Sequence, residues 1–527
     1  MRDLTQEDVH VYANRARVDQ SRIDPESQLP AIKAQDELIS KLDELDAPSA
    51  PERQHWEPKE ADDPYAAFLT RCDLHRTDTG LLAGRTIAVK DNIAVAGVPM
   101  TCGSPLLADH VPDEDATVVD RLLDAGGRIV GKANMDEFAL GGDADAMRFR
   151  LARNPNNPNH QPGGSSAGSG VAVANDQVDV ALGTDTGGSV RFPASFCGVV
   201  GLKPSRGLVP LTGFVQFSKL NDEIGVLSKT VTDAAQTLAA IAGPDSRDEA
   251  TRGATSGTYV DTVQDVEAVD GNDLTVGVPA ELFGGDPAVD ERVRIAIDEV
   301  ADAGATIRDV TIPDFEYAIP AWWAIAMTEV ASYVDANGVN YWQRSESSAE
   351  LVAAIAEAFA ERSGELGGYT ADVLVYGQHL LAAYDNEYYA RAQRARKLVT
   401  EGVDTALENV DVLACPTTPM TAPAWDGENY LEDDTLDEAV RTTGPFNLTG
   451  HPAVSVPCGD VDGLPVGLQF IGRRDDDAGV LRGPRSGRRS ANRRDGTRTV
   501  RQEWLSGGRY SDSVRRRRSA TIWLRAR

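Results

Sequence analysis

The feature that most constrains this chain is an apolar run that ends in a glycine-rich turn, VDVALGTDTGGSVRFP at residues 178–193. The apolar half fits a buried strand, but the glycines that follow are too many for ordinary core. The turn places Ser189 directly after the step Gly187-Gly188. Because glycines let the backbone approach a ligand closely, the stretch raises two questions: whether Ser189 is a nucleophile, and which group serves as its base.

Strand and helix patterns alternate from residue 82 onward, which predicts a parallel or mixed sheet. A βαβ unit is predicted from a strand in GRTIAVKDN, a helix in DEDATVVDRLLDAGG and a strand in GRIVGKAN. Three apolar strands follow late in the chain, in VDVLACPTTP, HPAVSVPCG and GLPVGLQFIG. The region before them, at about 315–410, is predicted to be mostly helical.

The two ends of the chain differ from the middle. Near-helical spacing of apolar residues in LPAIKAQDELISKLDEL, followed by a polar stretch with prolines, predicts a helical N-terminal extension and linker over residues 1–75. Residues 481–527 are rich in arginine, with fifteen arginines against three acids from Arg482 to Arg527 and no hydrophobic periodicity. We interpret this tail as non-native sequence, such as a frameshift product, or as disordered. The main domain is therefore predicted at 76–480.

The net charge of −30 constrains the partners of the chain. An acidic surface repels phosphates and anionic lipids, so the sequence predicts no nucleic-acid and no membrane partner. Acidic composition with only nine lysines is typical of proteins from a salt-rich cytoplasm, where salt screens the repulsion. The N-terminus is too charged for a signal peptide, and the most apolar window, AIPAWWAIAM, is about half the length of a membrane span. These features predict a cytoplasmic protein.

The sequence gives little indication of a metal site or of a phosphate-binding loop. The five cysteines form no CxxC pair and the seven histidines form no HxxxH pair, so no metal site is expected. GGRIVGKAN has Ala133 where a Walker motif needs Ser or Thr, and GSGVAV lacks the last glycine of a dinucleotide loop. The sequence therefore predicts a reaction with no metal and no organic cofactor.

A serine nucleophile needs a base, and the sequence offers a lysine for that role. Neither glycine-rich stretch contains a histidine, and the residues around Ser189 do not form a GxSxG elbow, although a histidine elsewhere in the chain stays an alternative. Lys90 ends a predicted strand in IAVKDN, and PGGSSAGSG carries Ser165 and Ser166. Lysine acts as a base at neutral pH if burial lowers its pKa by roughly 3 from about 10.4. A second serine could relay the proton between Lys90 and Ser189.

The two Gly/Ser-rich stretches together resemble the amidase signature family. PGGSSAGSG is followed after a fixed gap by ALGTDTGGSVRFPASFCGVVGLKPS, and GKANMDEF, RNPNNP, CPTTP and GLPVGLQFIG extend the resemblance from about Arg85 to about Val480. The resemblance implies an α/β fold with a central, mixed, twisted β-sheet surrounded by helices, here with a helical N-terminal extension. It also implies a hydrolase that converts a carboxylic acid amide to the acid and ammonia.

The resemblance further implies a Ser–cis-Ser–Lys triad. Ser189 would be the nucleophile that forms the acyl-enzyme, Ser165 the bridging serine entered through a cis peptide bond, and Lys90 the base. The oxyanion hole would be formed by the backbone of four residues: Thr186, Gly187, Gly188 and Ser189.

Three interpretations of the activity remain open. We interpret the chain as a free-standing amidase that acts on a small-molecule amide, because its N-terminal extension, GLVPLTGF and TGPFNLTGHPAVSVP resemble such enzymes. Because members of the family are often dimers, the resemblance also implies a homodimer. The alternative is the glutaminase A-subunit of a tRNA-dependent amidotransferase, which GKANMDEFALGG resembles. That glutaminase typically carries an arginine ahead of the segment matching GQHLLAAYDNEYY, and ADVLVYGQ has none. A further alternative is an inactive, poorly folded homologue, because the tail replaces the helix that normally follows GLPVGLQFIG.

Overall fold

The structure of the protein is a computed structural model, which describes residues 4–44, 49–141, 146–255, 259, 274–335, 348–384, 386–425 and 435–482. The chain divides into two compact units, Met1–Ala50 and Pro51–Arg527. The Arg-rich tail lies outside the described residues from position 483 onward, so its interpretation stays a prediction.

Within its described residues, the first unit contains two α-helices, α1 (Gln6–Arg15) and α2 (Pro25–Ile39). α1 begins with a capping box, in which the Thr5 hydroxyl accepts from the Asp8 N–H and the Asp8 carboxylate accepts from the Thr5 N–H. α2 begins with Pro25 in its first turn, where a missing N–H costs no helical hydrogen bond. These local signals explain why this acidic segment is helical.

The second unit is built, within the described residues, on one sheet of twelve strands. The strands are β1 (His55–Trp56), β2 (Phe68–Leu74), β3 (Thr86–Lys90), β4 (Arg128–Ala133), β5 (Val180–Asp185), β6 (Val200–Lys203), β7 (Glu223–Ser228), β8 (Thr275–Pro279), β9 (Thr306–Val310), β10 (Val412–Pro416), β11 (Ala453–Val461) and β12 (Leu464–Ile471). Their order across the sheet is β1-β2-β4-β3-β5-β7-β6-β11-β12-β10-β8-β9.

The sheet is mixed. β3 pairs parallel with β4 and β5, and β8 pairs parallel with β9 and β10. The remaining neighbours are antiparallel, including the hairpin of β11 and β12 and the pairing of β6 with β11 that joins the two halves. The predicted βαβ unit is confirmed as β3, helix α3 (Thr117–Asp124) and β4.

Helices surround this sheet, which confirms the predicted fold class. They are α4 (Ala167–Ala174), α5 (Arg191–Cys197), α6 (Val231–Ile241), α7 (Pro287–Asp302), α8 (Ala318–Asp335), α9 (Ala349–Arg362), α10 (Gly368–Tyr384), α11 (Glu387–Ala406), α12 (Thr435–Val440), α13 (Gly444–Thr449) and α14 (Asp477–Val480). The region predicted as mostly helical, about 315–410, contains α8 to α11.

The second unit begins earlier than the sequence suggests. The predicted extension and linker run to residue 75, but β1 and β2 lie within that range and β2 pairs with β4. The prolines and charges around β1 have the composition of a linker, although the segment is the edge strand of the sheet. The boundary between the two compact units is at Pro51.

Across the described parts of the chain, every helix is too short or too polar to cross a membrane. The apolar window AIPAWWAIAM lies in α8, which packs against α10, α11 and α13. Its side chains join a hydrophobic cluster with residues of α10, α11 and α13, so the apolar run serves the interior of the protein.

Candidate active site

Lys90 ends β3 and lies beside β5 in the middle of the sheet. The parallel register pairs Val89 with Leu182, which brings the ends of both strands to the same edge. Lys90 has no exposed surface. The Lys90 side chain therefore lies in the interior of the protein, close to the glycine-rich loop that follows β5.

The Lys90 side chain contacts two hydroxyl groups. Its Nζ donates to Oγ of Ser165 at 2.7 Å and to Oγ1 of Thr184 at 2.8 Å. Ser165 is 1% exposed, and the peptide bond between Gly164 and Ser165 is cis. Two of the three residues predicted to form the triad are thus in direct contact.

The protonation of Lys90 is set by its surroundings. Burial lowers the pKa of Lys90 to about 7, although the nearby carboxyl groups of Asp136, Asp185 and Asp222 oppose the shift. A lysine with such a pKa is partly neutral at physiological pH, so it can accept a proton there.

Ser189 is half-buried and lies in the wall of a pocket that also borders Thr186 and Gly187. Its carbonyl oxygen accepts from the Ser166 N–H at 3.2 Å, which joins the two Gly/Ser-rich loops. Oγ of Ser166 donates to the Thr184 carbonyl and accepts from the Thr184 N–H, each at 3.1 Å. Ser166 therefore fixes the loops to β5.

Asp185 organises the turn that leads to Ser189. Its Oδ1 accepts from the Gly188 N–H at 2.8 Å and its Oδ2 from the Val190 N–H at 3.1 Å, while both oxygens accept from the Arg191 guanidinium. Burial alone would raise the pKa of Asp185, but the charge and hydrogen bonds of Arg191, the charge of Lys203 and the hydrogen bond from Asn447 together outweigh it and lower the pKa to about 2. The turn is thus built around a buried, ionised carboxylate.

One N–H group of the predicted oxyanion hole is already engaged. Gly188 is among the four residues predicted for that role, yet its N–H donates to Asp185. The prediction therefore rests on Thr186, Gly187 and Ser189, which all border the pocket.

Three side chains from other elements anchor this loop. The Trp322 Nε1–H of α8 donates to the Thr186 carbonyl at 2.8 Å, and the Thr443 hydroxyl, just before α13, donates to the Gly187 carbonyl at 2.6 Å. The Thr186 hydroxyl in turn donates to Oδ1 of Asp222 at 2.6 Å. The loop is therefore held by its carbonyl oxygens as well as by its side chains.

Two buried carboxyl groups lie behind the loop. Asp222 also accepts from the N–H groups of Phe217 and Ser218, and the Ser218 hydroxyl donates to Glu329 at 2.5 Å. Burial raises the pKa of Asp222 to about 7, and burial likewise raises the pKa of Glu329. The pair is thus protonated more readily than surface carboxyl groups.

The pocket wall is mostly apolar. Its large side chains are Leu140, Met147, Phe192, Phe196, Phe217, Trp322, Trp323, Met327, Tyr369, Val373, Met420, Trp425 and Val440. Asp136 contributes a carboxyl group, and among the described residues no lysine or arginine lines the pocket. Such a wall favours an apolar or aromatic group over a charged one.

Sequence reasoning misses Thr184, Trp322 and Thr443. Thr184 lies inside the glycine-rich stretch, but a threonine in a strand is ordinary. Trp322 belongs to an apolar run that has the pattern of core, and it is 136 residues from the carbonyl group that it contacts. Spacing along the chain carries no signal for such a contact.

Comparison with known proteins identifies relatives of the chain. The family model Amidase matches residues 65–481. A relative from Halobacterium salinarum, named as the A-subunit of glutamyl-tRNA(Gln) amidotransferase, is 44% identical over 409 residues, which are 77% of this chain and 95% of the relative. A relative with the same name from Natronomonas pharaonis is 44% identical over 424 residues, which are 79% of this chain and 98% of the relative.

Solved structures show the same fold. The crystal structure of the glutamyl-tRNA(Gln) amidotransferase A-subunit from Thermotoga maritima is 35% identical with a TM-score of 0.65, covering 80% of this chain and 86% of that one. The peptide amidase from Stenotrophomonas maltophilia is 29% identical with a TM-score of 0.62, covering 78% of this chain and 83% of that one.

These relatives overturn the prediction about partners. The sequence predicts a small-molecule amide as the partner, no nucleic acid and a homodimer, whereas the names of the relatives include a tRNA and describe one subunit of a larger enzyme. The prediction is wrong because net charge describes the average surface of one chain. It does not describe what a complex of several subunits binds.

Proposed function

The chain belongs to the amidase signature family, and on that premise we propose that it cleaves an amide through an acyl-enzyme on Ser189. The observation that carries the proposal is the 2.7 Å contact between Lys90 Nζ and Ser165 Oγ, beside the loop that ends in Ser189. No histidine lines the pocket among the described residues, so Lys90 is the base that the geometry favours.

In the proposed mechanism, neutral Lys90 draws a proton from Ser165 while Ser165 takes one from Ser189. Ser189 Oγ attacks the amide carbon and forms a tetrahedral intermediate. The N–H groups of the loop stabilise the negative charge on its oxygen. The proton returns to the leaving nitrogen, ammonia departs, and water hydrolyses the ester by the same proton route.

Within the family, we propose the role that the relatives favour, which is the glutaminase A-subunit of a tRNA-dependent amidotransferase. Relatives with that name match along 95–98% of their own length. In this role glutamine supplies the amide, and the nitrogen is destined for glutamyl-tRNA(Gln).

The pocket wall favours a second candidate, which is an amide with an apolar acyl group. The segment ADVLVYGQ lies in α10 and contributes Val373 to the pocket wall. The α-carboxylate of glutamine would need a positively charged side chain in this segment, and Val373 is uncharged. The aromatic side chains of Phe192, Phe217 and Trp322 instead suit an aromatic or aliphatic group.

Ammonia release in high salt tests the proposal and separates the two candidates. The substrates are glutamine, acetamide, propionamide, benzamide and indoleacetamide, each with and without the other amidotransferase subunits and glutamylated tRNA(Gln). Ser189→Ala is the control, because it removes only the nucleophilic oxygen.

Release from glutamine that depends on the added subunits supports the amidotransferase role. Release from benzamide or indoleacetamide without them supports the apolar amide. Release that persists in Ser189→Ala, or no release from any amide by folded protein, contradicts an acyl-enzyme on Ser189.

A further inference from the structure

Resting on the acyl transfer proposed above, we infer that Trp322 and Thr443 are positioning residues for the oxyanion hole. They bind two successive carbonyl oxygens of the loop before Ser189. By doing so they fix which N–H of the glycine pair faces the substrate, and that group is the N–H of Gly187.

The geometry of one peptide unit links Trp322 to the Gly187 N–H. In a planar trans peptide the C=O and the N–H point in opposite directions. The Trp322 indole N–H binds the Thr186 carbonyl at 2.8 Å, and the N–H of the same peptide unit belongs to Gly187. The indole therefore sets the direction of the N–H of Gly187, a residue that borders the pocket.

The next peptide unit is fixed at both ends. The Thr443 hydroxyl donates to the Gly187 carbonyl at 2.6 Å, and the Gly188 N–H of that unit donates to Asp185 at 2.8 Å. This unit is locked with its N–H directed at a carboxylate and not at the pocket. The two anchors thus separate Gly187, which can serve the oxyanion, from Gly188, which holds the loop.

The glycine pair makes room for these anchors. A Cβ on Gly187 would lie 2.5 Å from Cζ2 of Trp322, and a Cβ on Gly188 would lie 2.6 Å from Oγ1 of Thr443. Both distances are far shorter than van der Waals contact. At each position a side chain larger than hydrogen would clash with the residue that binds the loop there. Gly188 also has a φ of 133°, which glycine adopts more readily than other residues.

A donor on the carbonyl oxygen also polarises its peptide unit, which strengthens the N–H at the other end. Trp322 thus acts on the transition state through Gly187, while its ring forms part of the pocket wall. An acyl group that pushes the indole aside would also turn the Gly187 N–H away. We therefore expect substrates with such acyl groups to have a lower kcat as well as a higher KM.

The test compares substitutions that differ by one hydrogen-bond donor. Trp322→Phe removes the indole N–H and keeps an aromatic ring. Trp323→Phe makes the same change in the neighbouring indole, which packs edge-on against Trp322 at 5.1 Å. Thr443→Val removes the hydroxyl, and Thr443→Ser keeps it. The readouts are kcat and KM for ammonia release, and the rate at which a fluorophosphonate labels Ser189, followed by intact mass.

We expect Trp322→Phe to label about tenfold more slowly than Trp323→Phe, because a turned N–H loses part of the roughly 10²–10³ that one oxyanion donor supplies. In Trp322→Phe, kcat should fall while KM stays near the wild-type value. Thr443→Val should also label slowly, and Thr443→Ser should restore the rate.

Equal labelling rates for Trp322→Phe and Trp323→Phe, or a change in KM alone, would show that Trp322 only packs the pocket and would overturn the inference. Equal rates for Thr443→Val and Thr443→Ser would overturn the role of Thr443. Wild-type protein that is not labelled at Ser189 would overturn the proposed function itself, and that outcome is distinct from a failure of the variants.

Discussion

At the scale of single residues, the proposed mechanism depends on a lysine that is neutral when it accepts a proton. Lys90 donates to Ser165 and Thr184, whose hydroxyl groups carry no charge that would hold its proton. Burial is the dominant influence on its pKa. The pH of the medium should therefore control the rate of amide cleavage through the protonation of Lys90.

We predict that kcat/KM rises about tenfold per pH unit below pH 7 and levels off above it. The sign follows from the chemistry: only neutral Lys90 accepts a proton, its neutral fraction grows as pH rises, and its pKa is about 7. A pH–rate profile of amide cleavage from about pH 5 to 9 measures this. Lys90→Arg, which stays charged, should be inactive throughout. A flat wild-type profile across pH 7 would contradict the prediction.

A second residue-scale prediction concerns Asp222. Its pKa is raised to about 7, so between about pH 4 and 7 the folded state holds a proton that the unfolded state has released. The contribution of Asp222 to stability is therefore lost as pH rises through this window. Asp222→Asn has no proton to release, so its melting temperature relative to wild type should improve by a few degrees from about pH 5 to about pH 7.5.

Thermal unfolding of both proteins at these two pH values measures the effect. Glu329 lies near Asp222 and its pKa is also raised, so Glu329→Gln should show the same trend. A difference in melting temperature that is identical at both pH values would mean that Asp222 is ionised in the folded protein.

At the scale of elements, the site is positioned by the close approach of α4 to the sheet. A Cβ on Gly168 would lie 2.3 Å from the Ala67 carbonyl oxygen and 2.4 Å from the Asn134 nitrogen, and both are backbone atoms. The helix lies this near to β4 only because it has no side chain there. Ser165 is three residues away, so a displaced helix would displace the proton relay.

We predict that Gly168→Ala destabilises the protein by about 1–3 kcal/mol and lowers kcat, because backbone atoms cannot move aside cheaply. Urea unfolding and ammonia release measure the two effects. Gly253→Ala is the matched control, since a Cβ on Gly253 would have no atom within 4 Å. Equal stability of the two variants would show that α4 can shift without cost.

The elements that the sequence predicts well are those with local signals. β3, β4 and β10 to β12 follow from apolar runs between turn residues, and the sequence places Lys90 correctly at the end of β3. β1 escapes prediction because an edge strand of two residues carries no apolar pattern. Trp322 and Thr443 escape it because their role depends on tertiary packing between distant segments.

At the scale of the whole molecule, the residues of the proposed chemistry belong to one compact unit. Lys90, Ser165 and Ser189 all lie after Pro51, and the family match begins at residue 65. We predict that a chain shortened to begin at Pro51 cleaves the same amide with kcat and KM near those of the full chain. Steady-state kinetics of the two chains measure this, and loss of activity in a shortened chain that melts normally would contradict it.

The sheet order has a consequence for the timing of biosynthesis. Strands β1 to β7 form a contiguous half of the sheet that contains the proposed nucleophile, relay and base, whereas Trp322 and Thr443 arrive with the later half. A ribosome adds about 5–20 residues each second, so the triad leaves the tunnel several seconds before the indole that orients Gly187. The nascent chain would then carry the proposed nucleophile, relay and base before the oxyanion hole is oriented, so Ser189 should react more slowly until Trp322 and Thr443 have been added.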